Sequence, residues 1–363
     1  MPIRTRAAVA FGANEPLRIE TLDLADPGPG EARVRLLASG LCHSDLHALD
    51  GSMASSFPTV MGHEGIGEVE AVGPDVDGLS VGDRVMAFLV PDCGKCAYCT
   101  SGRTNLCAEF IPRRIANKTP FSLDGALVYA FQGLGTFTEW TVVPADMLVK
   151  VDPAARPEQA CCISCGVTTG LGAALITAKV AEGSSVAVFG CGGVGLSVVQ
   201  GARLARAATI IAVDVNAERE ALARKLGATH FVTAGEGIDV VAAIVAITGL
   251  GADYSFECVG IPALAEQALL ATNLGWGKAV CVGVMPTGTR LSTVPTQLML
   301  GRDWSGCLMG GAKRADVARF VDMYVAGDYS LDDLVTHTLT PDQINHGISM
   351  MRSGEAVRSV VVF

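Results

Sequence analysis

The sequence predicts an α/β protein of two domains, one built on a doubly wound parallel sheet and the other mostly β. The first observation is length, because 363 residues exceed what a single compact core usually serves. The second is a change along the chain, from short strands broken by glycine and proline to apolar strands that alternate with helical patterns. The third is that 50% of the residues are apolar, which is enough to fill two cores.

The domain boundaries follow from that change along the chain. We assign residues 1–166 and 309–363 to the mostly β domain and residues 167–308 to the domain with the parallel sheet. The strands predicted in the mostly β domain are 31–38, 65–72 and 81–88. The strands predicted in the other domain are 185–189, 209–214, 231–233, 253–258 and 279–284, with helices such as 216–226 and 262–272 between them.

The tail of the chain returns to the first domain. It carries two helical patterns, at 315–326 and 341–352. A last strand, 359–363, is predicted to pair with the mostly β domain.

The balance of charge argues against two classes of partner. With a net charge of −10 and no clustered run of lysine and arginine, the chain is not expected to bind nucleic acid or an anionic membrane. Residues 1–20 lack the pattern of a signal peptide, and no segment approaches membrane-spanning length without charges. We therefore expect a cytoplasmic protein whose 12 cysteines are reduced thiols or metal ligands rather than disulfides.

A glycine-rich turn follows the predicted strand 185–189 and precedes a helical pattern, which is the context that a dinucleotide-binding turn requires. One glycine permits the tight turn, a second lets the backbone approach a pyrophosphate, and a third allows the helix to pack closely. The N–H groups at the start of the helix then attract the phosphates. The residues predicted to bind the cofactor here are Gly190, Gly192, Gly193, Val194 and Gly195.

Asp214 ends the next predicted strand, about 20 residues further on. Without it, the glycine turn would be weak evidence, because many strand-to-helix connections contain glycine. A carboxylate at this place can accept hydrogen bonds from the adenosine ribose hydroxyls, and it would repel a 2′-phosphate. The sequence therefore predicts NAD rather than NADP, by roughly a hundredfold.

Four cysteines lie close together in the mostly β domain, with glycines that bend the backbone around them. They are Cys93, Cys96, Cys99 and Cys107. Four thiolates with no open position are typical of structural zinc. An iron–sulfur cluster or disulfides are the alternatives. A zinc module for nucleic acid is a further one, opposed by the presence of only Lys95 and Arg103 as basic residues in the loop.

A second set of metal ligands is scattered along the chain. Cys42 lies in the motif 40–45, His63 in the motif 62–65 and Cys165 in the motif 164–170. Together with the four-cysteine loop, the glycine turn and the carboxylate after it, these motifs resemble the zinc-containing alcohol dehydrogenases of the medium-chain dehydrogenase/reductase superfamily. The resemblance covers essentially the whole chain, through the ending 352–359. It implies a Rossmann-type cofactor domain and a GroES-like catalytic domain.

The resemblance implies that Cys42, His63 and Cys165 hold a catalytic zinc with an open fourth position. Two thiolates and one imidazole are the donor set of alcohol dehydrogenases. The chain would then bind two zinc ions and NAD. Taken singly, each of these three residues is more often a buried packing residue than a ligand.

The resemblance also implies roles for residues beside these ligands. Ser44 would take the proton of the alcohol and pass it through the nicotinamide ribose to His47. Asp45 and Glu64 would lie near the zinc and orient its ligands. The residues implied to contact the cofactor outside the glycine turn are His43 and Arg358 at the pyrophosphate, Arg219 near the adenosine ribose, and Thr169.

The substrate pocket implied by the resemblance consists of Met53, Leu89, Phe131, Gln132 and Val284. The family often has an aromatic residue where this chain has Leu89. A leucine would leave more room, so we expect medium-chain or aromatic primary alcohols to react in preference to ethanol, by about 1–3 kcal/mol.

A thiol-dependent formaldehyde dehydrogenase of the same family is the alternative function. Its glutathione-using members have an acidic residue where this chain has Met53, which counts against that version and leaves a bacterial thiol open. Reductases of the cinnamyl alcohol type favour NADP, which Asp214 opposes. Polyol dehydrogenases usually have a glutamate as the third ligand, which Cys165 opposes. A non-catalytic zinc-containing structural or binding protein would have lost ligands or the relay, and the sequence has both.

The resemblance implies an assembly as well. The segment from Cys107 to Cys165 is as long as in the dimeric members of the family. We therefore expect a homodimer that forms through the sheet edges of the cofactor domains.

Overall fold

The computed structural model describes residues 3–115 and 119–363. The chain forms two compact units. Unit 1 comprises Met1–Cys165 and Lys313–Phe363, and unit 2 comprises Gly166–Ala312.

The chain passes from unit 2 back to unit 1 after Ala312, whereas the predicted boundary lies between residues 308 and 309. The turn Met309–Gly311 belongs to unit 2, because it packs closely against the first helices of that unit. Thr177 donates a hydrogen bond to the Gly310 carbonyl over 2.9 Å, and a Cβ on Gly172 would lie 2.8 Å from the same oxygen. The first crossing comes after Cys165 rather than after residue 166.

The strands of the described residues are, in chain order, β1 Ile3–Ala10, β2 Arg18–Leu24, β3 Glu31–Gly40, β4 Thr59–Val60, β5 Glu64–Val72, β6 Arg84–Ala87, β7 Phe121–Leu123, β8 Ala126–Ala130, β9 Trp140–Pro144, β10 Leu148–Lys150, β11 Ser185–Phe189, β12 Thr209–Asp214, β13 His230–Thr233, β14 Tyr254–Glu257, β15 Lys278–Cys281, β16 Asp303–Gly306, β17 Val335–Leu339 and β18 Arg358–Val362. The α-helices are α1 His43–Leu49, α2 Ala97–Thr100, α3 Phe110–Ile115, α4 Pro157–Ala160, α5 Gly166–Gly172, α6 Gly193–Leu204, α7 Arg219–Leu226, α8 Val240–Thr248, α9 Pro262–Leu270, α10 Pro295–Met299, α11 Arg314–Val325 and α12 Ile344–Ser353.

Unit 1 is mostly β, as predicted. Strands β1, β2, β7, β8 and β4 close into a barrel, and a second sheet has the order β10-β6-β5-β3-β18-β17, with β9 paired to β3. The last strand, β18, pairs antiparallel with β3, which confirms the pairing predicted for the chain end. One apolar core lies inside the barrel, around Leu22, Val60 and Phe121, and another packs around α1 and α12.

Unit 2 contains the predicted parallel sheet. Its six strands have the order β13-β12-β11-β14-β15-β16, and every neighbouring pair is parallel. The sequence order reverses between β11 and β14, which is where doubly wound sheets bind dinucleotides. The α/β fold class, with a Rossmann-type unit and a GroES-like unit, is therefore confirmed.

Some element ends differ from the prediction because local hydrogen bonds, from side chains or from the backbone, redirect the chain. The helix predicted at 216–226 begins at Arg219, since Asp214 and Asn216 accept the backbone N–H groups of Asn216 and Glu218 and form a turn first. The strand predicted at 279–284 ends at Cys281. Beyond it, the N–H groups of Val282 and Gly283 both bond the carbonyl oxygen of Glu257.

No single helix in the described part of the chain is long and apolar enough to cross a membrane. One bent pair of short helices passes the same test on length and composition alone.

Candidate metal centres and cofactor site

Four possible metal ligands meet inside unit 1. Cys42 immediately precedes α1, His63 and Glu64 lie at the start of β5, and Cys165 follows the short turn Cys161–Ser164. All four side chains are buried, and their ligand atoms lie within 4.8 Å of one another. The structure thus brings together the three ligands that the sequence suggested. It adds the Glu64 carboxylate, which had been expected only to orient them.

The ring of His63 is oriented as a metal ligand would be. Asp45 lies 3.3 Å from His63 Nδ1 and also accepts the backbone N–H of Cys42 over 2.9 Å. This leaves His63 Nε2 buried with no hydrogen-bond partner among the described residues. A buried ring nitrogen without a partner beside two thiols fits a zinc ion, and the carboxylate behind the imidazole is the usual second partner of such a ligand.

The titration of these groups also fits a metal site. Burial by itself would lower the pKa of His63, but the carboxylate of Asp45 and the sulfur of Cys42 outweigh it and raise that pKa to about 10. The hydrogen bond from Cys165 holds the pKa of Cys42 well below its usual range, and burial opposes this. The same bond, with burial, raises the pKa of Cys165. Without a cation, the set therefore retains protons that a metal would displace.

Arg358 pairs with Glu64 beside this set. The guanidinium donates to the carboxylate, and both side chains are almost completely buried. The two residues are 294 positions apart in the sequence. The contact of Arg358 with the cofactor pyrophosphate stays a prediction, as does that of His43, which is exposed at the start of α1.

The proposed relay residues lie on α1. Ser44 and His47 are three positions apart and so share a face of the helix. The Ser44 hydroxyl lies 3.8 Å from the Cys42 sulfur, and His47 Nδ1 lies 3.0 Å from the Ser52 hydroxyl. Ser52 in turn donates to Asp50 over 2.6 Å. The Ser52 hydroxyl has one proton and donates it in the hydrogen bond to Asp50. It therefore accepts the hydrogen bond from the N–H of His47 Nδ1, and Nε2 of that ring stays available.

Asp50 and Ser52 carry no sequence motif that marks them as functional. Their local signal was a polar turn directly after a short helix, in which Asp50 accepts the backbone N–H of Ser52 over 2.8 Å. Only the fold shows that His47 bonds this turn.

The four-cysteine loop forms the second metal site. The sulfurs of Cys93, Cys96, Cys99 and Cys107 lie within 4.8 Å of one another. The backbone N–H groups of Ala108 and Cys99 donate to the sulfur of Cys96 and lower its pKa to about 6. All 12 cysteines are free thiols. A closed set of four thiols with a thiolate-stabilising backbone fits structural zinc.

The glycine turn of unit 2 depends on the absence of side chains. A Cβ on Gly190 would lie 2.5 Å from Val259 Cγ2, and a Cβ on Gly195 would lie 1.8 Å from the Gly190 carbonyl oxygen. In the part of the chain that the structure describes, nothing lies within 4 Å of the corresponding position on Gly192, so that side of the turn is open to a ligand. Helix α6 begins directly after it, with Gly193 and Val194 in its first turn.

Asp214 lies beside this turn, as predicted, and is tied to it. One carboxylate oxygen accepts the backbone N–H of Cys191 over 2.6 Å, and the other accepts that of Asn216 over 2.9 Å. Arg219 is the first residue of α7. Thr169 lies on α5, with its hydroxyl 3.8 Å from the sulfur of Met309.

The residues proposed for the substrate pocket are divided between the units. Leu89 and Phe131 are buried in unit 1, where the ring of Phe131 meets that of His63 edge-on at 5.6 Å. Met53 packs against the same apolar core as Phe131. The side-chain oxygen of Gln132 is buried without a partner. Val284 belongs to unit 2 and is exposed.

Comparison with known proteins agrees with this geometry. Residues 28–153 match the family model for the alcohol dehydrogenase GroES-like domain, and residues 193–326 match the model for zinc-binding dehydrogenase. The chain is 42% identical to an S-(hydroxymethyl)glutathione dehydrogenase of Paracoccus denitrificans, over 99% of this chain and 100% of the relative. It is 43% identical to an alcohol dehydrogenase class-3 of Cereibacter sphaeroides over the same shares.

A solved structure is similar along its whole length. Benzyl alcohol dehydrogenase from Acinetobacter calcoaceticus superposes with a TM-score of 0.93 at 31% identity, over 99% of each chain.

Proposed function

Because the chain belongs to the zinc-containing alcohol dehydrogenases of the medium-chain dehydrogenase/reductase superfamily and is an NAD-dependent oxidoreductase, we propose that it oxidises the hydroxymethyl adduct of formaldehyde with a low-molecular-weight thiol. The observation that carries this choice is the identity of 42% over the whole length to an S-(hydroxymethyl)glutathione dehydrogenase. The primary alcohols expected from the sequence become the second candidate.

The proposed reaction removes a hydride and a proton from one carbinol. The hydride passes from the carbon of R–S–CH2–OH to NAD, the hydroxyl proton leaves, and the product is the thioester R–S–CHO. A zinc ion in such a site would act as a Lewis acid and lower the pKa of a bound hydroxyl well below its usual value.

The residues of unit 1 have separate tasks in this proposal. Cys42, His63 and Cys165 would hold the ion, and Asp45, which contacts His63 Nδ1, fixes the orientation of that ring. Ser44 accepts the hydroxyl proton, and His47 passes it on. The Ser52 hydroxyl keeps the ring of His47 in one orientation.

The residues of unit 2 hold the cofactor. The N–H groups at the start of α6 face the phosphates, and Asp214 accepts the ribose hydroxyls. A 2′-phosphate would meet that carboxylate, which favours NAD over NADP. Arg219 and Thr169 of this unit, and His43 and Arg358 of unit 1, are further proposed cofactor contacts.

The carrier thiol is a finer part of the proposal. Met53 is neutral, whereas the glutathione-using members of the family have an acid at its position. We therefore expect a bacterial thiol other than glutathione to give the lower KM.

Steady-state formation of NADH tests the proposal. The enzyme is given formaldehyde with glutathione, with mycothiol or with bacillithiol, and in parallel hexanol or benzyl alcohol without a thiol. We expect the highest kcat/KM with formaldehyde plus one of the thiols. Equal rates with and without thiol, and a higher kcat/KM with benzyl alcohol or hexanol, would replace the proposal by the second candidate.

The apolar residues of the pocket favour that second candidate. Leu89 and Phe131 offer no charge to a thiol carrier, and Met53 is apolar as well. The similar fold of a benzyl alcohol dehydrogenase points to the same class of substrate.

We also propose that the protein forms a homodimer in the cytoplasm. Strand β16 is the last strand of its sheet, and the segment before it exposes several apolar side chains. These residues are Leu291, Val294, Leu298, Met299 and Leu300. An exposed apolar stretch beside a strand edge fits an interface with a second copy.

A further inference from the structure

Glu257 is a fully buried carboxylate at the carboxyl end of β14 in unit 2. Burial raises its pKa, and the backbone N–H groups around it oppose that rise. Carboxylates are rarely buried in this way, because leaving water is costly unless hydrogen bonds replace the lost hydration. The bonds that Glu257 makes therefore indicate what it does.

Glu257 holds two loops at the same edge of the sheet. One carboxylate oxygen accepts the backbone N–H groups of Val259 over 2.8 Å, Gly260 over 2.7 Å and Ile261 over 3.4 Å. Its backbone carbonyl accepts those of Val282 over 2.8 Å and Gly283 over 2.9 Å. The residue thus fixes the loop after β14 and the loop after β15 together.

These loops touch each other through their backbones, and the loop after β14 also touches the glycine turn. A Cβ on Gly283 would lie 2.1 Å from the Gly260 nitrogen. On the other side, the N–H of Cys258 bonds the Phe189 carbonyl over 2.9 Å, and Val259 Cγ2 lies 2.5 Å from where a Cβ on Gly190 would be. If the loop after β14 shifted toward the turn that begins at Gly190, the two would therefore collide.

The position of this loop in the sheet links the contact to the dinucleotide site. The loop follows β14, and the glycine turn follows β11, the two strands between which the strand order reverses. Dinucleotides bind outside the carboxyl ends of the strands at this point. Glu257 is buried, and it bonds this part of the sheet edge through the backbone N–H groups of residues 259–261.

We propose that Glu257 is a positioning residue for the dinucleotide site, which fixes the loop 258–261 as the wall opposite the glycine turn. Three successive N–H groups in one turn would also attract an anion. Since the carboxylate of Glu257 already binds them from inside, phosphate groups are directed to the start of α6. The inference rests on the use of NAD and not on the identity of the alcohol.

Binding of NADH to Glu257→Gln tests this role, measured by quenching of protein fluorescence and by calorimetry. The amide has the same size but no charge, so the three N–H groups lose a charge-assisted partner. We expect the Kd for NADH and the KM for NAD to rise about tenfold, while kcat at saturating NAD changes by less than twofold. The variant Glu257→Asp, which keeps the charge but shortens the side chain, should give a smaller rise.

Asp239→Asn is the matched control. Asp239 is a carboxylate of the same unit that accepts the backbone N–H of Ala242 over 2.9 Å at the start of α8. The Asp239→Asn variant should have a lower melting temperature and an unchanged affinity for NADH. If both Glu257 variants bind NADH within twofold of the unchanged enzyme, or if Asp239→Asn weakens NADH to the same extent, the positioning role is wrong.

Discussion

At the scale of single residues, the metal site depends on how the imidazole of His63 is held. Asp45 binds Nδ1 and so leaves Nε2 for the ion, while the backbone of Cys42 binds the other carboxylate oxygen. One side chain therefore positions two of the ligands. The negative charge of Asp45 also makes the His63 imidazole a more basic metal ligand.

The first prediction concerns this carboxylate. Asp45→Asn should weaken zinc binding at the catalytic site by about 10- to 100-fold, because the amide orients the ring without raising its basicity. Competition with a chromophoric chelator measures the affinity. Asp342→Asn, an exposed carboxylate of the same unit that pairs with Arg6, is the control and should not differ from the unchanged protein. Unchanged zinc affinity in Asp45→Asn would contradict the prediction.

The second prediction concerns the hydroxyl behind His47. Ser52→Ala removes the partner of His47 Nδ1 and the link from it to Asp50. We expect kcat to fall about three- to tenfold, with unchanged zinc content, because the ring loses its orientation and proton exit slows. A small buffer base such as imidazole should restore part of the rate.

The control for that prediction is Ser101→Ala, whose hydroxyl bonds a backbone carbonyl in the four-cysteine loop. It should leave kcat unchanged. A Ser52→Ala enzyme with full activity, or one that buffer does not restore, would exclude the relay role.

At the scale of elements, the two metal sites differ in how the chain forms them. The four-cysteine loop closes within 15 residues of sequence, with α2 beginning directly after Cys96. The catalytic set joins the start of α1, the start of β5 and the chain after α4. The loop therefore depends on its ion for its own shape, whereas the other site is held by packed elements.

The third prediction follows from that difference. Cys99→Ser and Cys165→Ser should each reduce the zinc content from two ions to one per chain. Cys99→Ser should lower the melting temperature by several degrees and retain part of its activity, since it opens a structural site. Cys165→Ser should abolish turnover with a smaller effect on melting. Metal analysis, calorimetry and kinetics measure these effects. If Cys99→Ser abolished turnover and Cys165→Ser mainly lowered the melting temperature, the structural and catalytic sites would have to be exchanged.

At the scale of the whole molecule, the proposed assembly rests on one edge of unit 2. The apolar side chains before β16 include Met299, which is 81% exposed. A surface of this kind is costly in water and gains stability when a second copy covers it.

The fourth prediction is that Met299→Asp shifts the protein from dimer to monomer. In a two-fold dimer each copy contributes one such aspartate. Two unpaired charges would therefore be buried in the interface and would destabilise it. Sedimentation at micromolar concentration measures the mass. Leu250→Asp, at a site that is 71% exposed elsewhere in the unit, is the control and should stay dimeric. A monomeric unchanged protein would refute the assembly itself.

Features that depend on neighbouring residues could be predicted from the sequence. The glycine turn, Asp214 and the four cysteines follow local rules of spacing and backbone freedom, and the structure places each as expected. The ends of several strands and helices were less well predicted. There, side chains such as Asn216 compete for backbone N–H groups.

Contacts between groups far apart in the sequence became visible in the folded chain alone. Periodicity carries no information on the pairing of Arg358 with Glu64, 294 residues apart, or on the buried ring nitrogen of His63. It also gave no reason to single out Glu257, which looks like any strand-end glutamate until its oxygen is seen to hold three N–H groups. Such contacts arise from packing between elements, and that packing depends on the whole chain rather than on any local pattern.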